Sequence, residues 1–143
     1  MRRNSASAVW EKDLVHGTGI MKLGSGAFEG PYSYASRFEQ GKGTNPEELI
    51  GAAHAGCFSM ALAHALAQAG YEPKRLETSA EVTLDKVNEH FGITHIRLIT
   101  KVEAPRVDEK TFLKYAEDAK YNCPVSQALK NNVVIELQAE LVH

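Results

Sequence analysis

Cysteine is scarce in this chain: there are two among 143 residues, Cys57 and Cys123. A small secreted scaffold stapled by disulfides carries more, so that class is excluded. Two cysteines in a reducing compartment are either inert core residues or a redox pair. Excess charge is missing as well. The 16 basic and 18 acidic side chains leave a net charge of −2. Such a balance gives no electrostatic reason to expect nucleic acid or an anionic membrane as a partner. The one basic cluster, Arg2-Arg3, is too short to be a binding arm. Met1 to Trp10 lacks the apolar stretch of a secretory signal, so a cytoplasmic location is expected. The tight Cys/His clusters of zinc sites are absent, and His16, His64, His90, His95 and His143 form no ligand spacing with the cysteines. Neither Gly17-Thr18-Gly19 nor Gly24-Ser25-Gly26 precedes a helix, so neither supports dinucleotide binding. No repeat or low-complexity tract is visible.

What is present suits one soluble domain spanning residues 1–143, with 43% hydrophobic and 24% charged residues. The first third carries strand and turn signals. Ser7 to Glu11 alternates around Val9, and Ile20 to Leu23 follows the Gly17–Gly19 turn. Tyr32, Tyr34 and Phe38 space an extended or looped stretch. Thr44-Asn45-Pro46-Glu47-Glu48 then combines a capping residue, a first-turn proline and acids at the positive end of the dipole. The helix it opens is expected to run to Ala69 and stop at Gly70. Leu49, Ile50, Phe58, Met60, Leu62 and Leu66 fall on different faces, so the helix should be buried all round. A chain of this size has trouble covering it alone, and a partner chain on one face would solve that. His54, His64 and Gln68 interrupt the apolar run, which marks a core helix of a soluble protein rather than a membrane span. Ser79 to Val87, Ile93 to Glu103 and Val133 to Val142 are expected strands. Helices are expected over Glu109 to Lys120 and from Cys123-Pro124 to Lys130. The pattern is α+β.

Cys57 sits in mid-helix, in Ala53-His54-Ala55-Gly56-Cys57-Phe58. There a free cysteine usually packs as a small hydrophobe. Cys123 precedes Pro124, at or beside a helix N-cap, where exposed amides and the dipole favour a thiolate. Alternatively it substitutes for serine as a weak cap. His54 shares a helix face with Cys57 and is either a base, a ligand or a histidine satisfied by a backbone carbonyl. Arg37 has the ordinary reading of an exposed strand residue. Glu47 has the ordinary reading of a capping box with Thr44.

Taken in order, several segments resemble the OsmC/Ohr family of osmotically inducible and organic-hydroperoxide-resistance proteins, most closely its OsmC branch. They are Arg37-Phe38-Glu39, the block from Gly43 to Leu62, Val82-Thr83-Leu84-Asp85-Lys86-Val87, and Cys123-Pro124-Val125-Ser126-Gln127-Ala128-Leu129-Lys130. The Thr44–Leu62 block is the most specific, and Gly56, where the family often has alanine, is conservative. The resemblance implies an OsmC-like fold of curved antiparallel sheets around a long buried central helix, in an intertwined homodimer. It also implies thiol-dependent reduction of organic hydroperoxides, and of hydrogen peroxide less well. By resemblance, Cys57 is the peroxidatic cysteine, Cys123 the resolving one, Arg37 the thiolate-stabilising arginine and Glu47 its carboxylate partner. A dithiol, often a dihydrolipoyl group, is the implied reductant, and no metal, flavin or haem is needed. The competing reading is a non-catalytic redox-sensing or stress-binding protein that uses the same pair.

Two tensions follow. Helix position makes Cys123 the better thiolate, whereas the resemblance assigns first attack to Cys57. Glu47 and Cys57 are ten residues apart, about 15 Å along an unbroken helix, which one side chain does not span. A site using both is therefore expected to be built across a dimer interface.

Overall fold

The computed structural model describes residues 1–142, so His143 lies outside the described residues. The chain forms two compact units, Met1–Leu49 and a second that begins at Ile50.

In the first unit, β1 (Ala6–Glu11), β2 (Thr18–Leu23) and β3 (Glu29–Tyr32) make an antiparallel sheet in that order. Trp10 and Tyr32 meet across it with ring centroids 5.2 Å apart. Gly19 lies between them. A Cβ at that position would stand 2.5 Å from a Tyr32 ring carbon and 2.6 Å from one of Trp10, so only glycine fits. The stretch expected to be extended instead contains a short helix, α1 (Tyr34–Phe38). A reciprocal cap made by two serines closes its start. Ser33 Oγ accepts from the Ser36 amide at 3.1 Å, and Ser36 Oγ accepts from the Ser33 amide at 2.8 Å. The usual glutamate of such a box is absent here, which hid the helix start from pattern reading.

The long helix α2 (Pro46–Gln68) starts in the first unit and continues through the second. Asn45 caps it, its Oδ1 accepting from the Glu48 amide at 2.7 Å. Thr44 instead donates to the Glu48 carboxylate at 2.8 Å. The capping box expected for Thr44 and Glu47 is thus shifted by one residue, and Glu47 is left available for another partner. Gly70, at φ 89°, ends the helix, and the Tyr71 amide closes back on the Leu66 carbonyl at 2.8 Å. Only glycine adopts that left-handed conformation without penalty.

In the second unit, β4 (Arg75–Val87) and β5 (His90–Glu103) form an antiparallel hairpin. The turn is made at Asn88, at φ 58°, a residue type that tolerates positive φ. The chain then passes through α3 (Glu109–Asn122) and α4 (Pro124–Leu129) before β6 (Val134–Val142). Antiparallel pairing, as expected, holds in the first sheet and in this hairpin. β6 instead joins β5 in parallel, because a helical crossover returns the chain to the same end of the sheet.

The core of this unit gathers Phe58, Leu62 and Leu66 from α2, Ile96, Leu98 and Val102 from β5, and Phe112 and Ala116 from α3. Each of these is fully buried. Burial of each large apolar side chain contributes about 1.5–3 kcal/mol. The α2 contributors recur every fourth residue and form one face of the helix. By length and composition α2 is apolar enough to cross a membrane, but this face is committed to the protein core. The opposite side holds Ala52, Ala53, Gly56, Met60, His64 and Ala67, all exposed, with Met60 at 76%. The expectation of burial all round is therefore met on one face only within a single chain.

Candidate active site

Cys57 and Cys123 come together in the second unit. Cys57 is half-buried on α2, and Cys123 is buried at the junction of α3 and α4; both are free thiols. The junction explains the position of Cys123. Its backbone N–H ends α3 on the Ala119 carbonyl at 3.0 Å, while its φ of −61° and ψ of 142° start α4. The following proline disfavours helical backbone at Cys123 and so enforces this break. Cys123 Sγ then caps α4, accepting from the Ser126 amide at 3.5 Å.

Two pairs of residues face each other here. His54 and Cys57 are three apart on α2, and Cys123 and Ser126 are three apart at the start of α4. Each pair shares one helix face. The Cys57 side chain interacts with that of Cys123. His54 Nε2 lies 2.7 Å from Ser126 Oγ, and the Cys123 thiol donates to that same oxygen at 3.1 Å. The backbone carbonyl expected as the partner of His54 is thus replaced by a hydroxyl.

The electrostatics of Cys57 are unfavourable within one chain. Burial pushes its thiol pKa up, and a hydrogen bond and the charge of Cys123 push it further. A backbone hydrogen bond at Val125 pulls it back. No cation is among these influences. Burial likewise holds the His54 imidazole below its usual pKa, which keeps it neutral.

The first unit holds the other two expected residues. Arg37, near the end of α1, grips Glu47 in the first turn of α2 with a two-pronged pair, Nε to Oε1 at 2.9 Å and Nη2 to Oε2 at 3.0 Å. The Glu47 side chain is 9% exposed and that of Arg37 35%. A buried carboxylate held by a fork is a fixed arrangement, and the guanidinium carbon also lies 5.4 Å from the centroid of the Phe38 ring. Arg37 is therefore neither a strand residue nor unpaired. Because α2 is unbroken, Glu47 and Cys57 on it are about 15 Å apart.

Sequence reading missed Ser126. The signal was present, since Cys123-Pro124-x-Ser126 has the three-residue spacing at which a capping side chain meets the next turn. Its link to His54 spans 72 positions and leaves no local trace.

The fold and the paired thiols define an α+β dithiol protein. A family model for OsmC-like proteins matches residues 39–138. The chain is 48% identical over 132 residues to peroxiredoxin OsmC of Escherichia coli, covering 92% of each chain. It is 32% identical over 109 residues to organic hydroperoxide resistance protein-like 1 of Staphylococcus saprophyticus, covering 71% of this chain and 72% of that one. Among solved structures, an organic hydroperoxide resistance protein from Elizabethkingia anophelis superposes with a TM-score of 0.77 at 22% identity, covering 96% of both chains. An OsmC-like protein from Mycoplasma pneumoniae does so with a TM-score of 0.75 at 19% identity, covering 99% of both. The chain belongs to the OsmC-like protein family.

Proposed function

We propose that this chain is a thiol-dependent peroxidase that reduces organic hydroperoxides to alcohols, with Cys57 as the attacking thiol. The observation that carries the reading is the side-chain interaction of Cys57 with Cys123 in a chain nearly half identical to a peroxiredoxin. The Cys57 thiolate attacks the terminal peroxide oxygen. The O–O bond breaks, the departing alkoxide takes a proton, and Cys57 becomes a sulfenic acid. Cys123 attacks that sulfur, water leaves, and a disulfide forms. An external dithiol, such as a dihydrolipoyl group, restores both thiols by exchange. This chemistry needs no metal, flavin or haem. Hydrogen peroxide is the poorer substrate, because it buries no apolar surface on binding. The chain acts in the cytoplasm as a single domain of residues 1–143.

The test is turnover of cumene hydroperoxide with dihydrolipoamide as reductant. Many equivalents consumed per chain is the expected result. Consumption of one equivalent followed by arrest would favour a redox sensor instead.

The active form is a homodimer, with each site assembled from two copies. Two observations support this. Cys57 has an elevated pKa and no cationic influence within its own chain, while Arg37 is tied to a carboxylate about 15 Å along α2 from Cys57. The exposed stripe from Ala52 to Ala67 also offers a second α2 a surface of small and apolar residues. On docking, the Arg37–Glu47 pair of one copy meets Cys57 of the other. Met60→Glu places a charge in the middle of this stripe. It is expected to give a folded monomer by light scattering with at least about tenfold lower peroxidase activity, since an unpaired charge in an interface costs several kcal/mol. A fully active monomer would overturn the shared site.

A further inference from the structure

We propose that Ser126 and His54 form an internal proton path for Cys123, and that this path drives the closing of the Cys57–Cys123 disulfide. The proposal rests on the peroxidase reading above and adds two residues to its second step.

That step poses a problem for a buried thiol. Cys123 is 1% exposed, and to attack a sulfenic acid it must lose its proton. Ser126 is equally buried at 1% and His54 at 0%, so bulk water does not reach the thiol from this side. The acceptor on hand is Ser126 Oγ, to which the thiol already donates at 3.1 Å. A hydroxyl takes a proton only if it passes its own onward. The next atom in line is His54 Nε2, 2.7 Å away. With the thiol donating to the serine oxygen, the path uses the neutral tautomer in which the Ser126 hydrogen points to a bare Nε2. The ring hydrogen then sits on Nδ1. That atom is buried and has no hydrogen-bond partner among the described residues. A buried orphan N–H is costly, and such groups in native structures call for an explanation. The proton path gives a reason for it: the form that carries this cost is the one that leaves Nε2 bare to accept.

Two further features agree. Burial alone lowers the His54 pKa, so the base is unprotonated at neutral pH. Among the described residues, the titratable groups that meet this chain of bonds are Cys57, from α2, and Cys123 itself. No carboxylate or ammonium competes for the proton among the influences on His54. The positions also repeat. His54 and Cys57 on α2 face Ser126 and Cys123 on α4, so one rung of this ladder carries the sulfur chemistry and the other receives the proton.

The step balances. The thiol proton moves to Ser126 Oγ as the serine proton moves to Nε2. The Cys123 thiolate attacks Cys57 sulfur, the S–O bond breaks, and the departing hydroxide takes the imidazolium proton as water. Cys57 sulfenic acid is reduced, Cys123 is oxidised, and His54 returns neutral. Ser126 touches the reacting sulfur, while His54 acts through it as a positioning residue and proton store.

The experiment follows each step separately. Reduced dimer is mixed with one equivalent of cumene hydroperoxide and quenched over time from pH 6 to pH 9. Cys57 sulfenic acid is trapped with dimedone, and disulfide is counted by mass spectrometry. His54→Gln keeps a hydrogen-bonding side chain but cannot take the proton. Ser126→Ala breaks the path and leaves His54 in place, which also serves if the first variant does not fold. Both are expected to form the sulfenic acid at the native rate and close the disulfide roughly a hundredfold more slowly at pH 7. Their closing rate should climb about tenfold per pH unit, as for an unassisted thiol, where the native rate stays nearly flat. Ser126→Thr, which keeps the hydroxyl, should restore the flat profile. A merely structural role moves stability but not the shape of this profile. Native closing rates and profiles in folded variants overturn the path. A native protein that forms no Cys57 sulfenic acid overturns the peroxidase reading instead.

Discussion

Cys57→Ser is expected to reduce hydroperoxide turnover by at least about a thousandfold, with no compensation from Cys123. A serine hydroxyl is scarcely ionised at neutral pH, and the thiolate is the nucleophile that opens an O–O bond. Cys123 has the helix-terminus position that favours a thiolate in isolation. The structure gives it other tasks. It is 1% exposed, its Sγ caps α4, and its proton is committed to Ser126. Cys57 is the less buried of the two thiols, which is why the proposed first attack is placed there. The measurement is sulfenic acid trapping in the single variant. Rapid labelling of Cys123 in Cys57→Ser would invert the two roles.

Arg37→Ala is expected to cost about 10- to 1000-fold in peroxide reduction at pH 7, with activity returning as the pH is raised. The sign follows from the groups around Cys57. Burial and Cys123 both push its pKa up, so without a cation the thiol stays protonated at neutral pH. In the shared site proposed above, a guanidinium from a second copy would favour the thiolate, and its loss would move the rise of activity to higher pH. Within one chain the same change leaves Glu47, 9% exposed, without its partner. Some loss of stability should therefore accompany it, on the order of 1–3 kcal/mol given the partial exposure of Arg37. Arg37→Lys keeps the charge but loses the two-pronged grip, so it should lie between the two. Stopped-flow rates across pH separate these effects, because destabilisation does not displace a pH profile. An unchanged profile in folded Arg37→Ala would remove Arg37 from the site.

Much of the fold was legible because its signals are local. Asn45-Pro46 and Gly70 bracket α2, and the β4 and β5 strands show in their alternation. The misses share a cause. A serine pair capped α1 where the pattern asks for glutamate, and Asn45 took the cap assigned to Thr44. That one-residue shift matters chemically, since it frees Glu47 to hold Arg37. The parallel entry of β6 was illegible because strand direction depends on the path of the crossover, not on strand composition.

The sequence by itself determined the class of chemistry. Two cysteines without metal-ligand spacing, a helix start, a proline after Cys123 and the block around Cys57 are chain-local features, read from residue type and distance along the chain. Tertiary structure alone decided which side chains meet. The Cys57–Cys123 contact joins residues 66 positions apart (123 less 57), and the His54–Ser126 bond joins residues 72 apart. Such contacts depend on how α2 packs beside the α3–α4 junction, and that packing is a property of the whole core. Tertiary structure also decided the environment of each thiol, because burial and hydrogen bonding set a pKa and neither is written in a residue's identity.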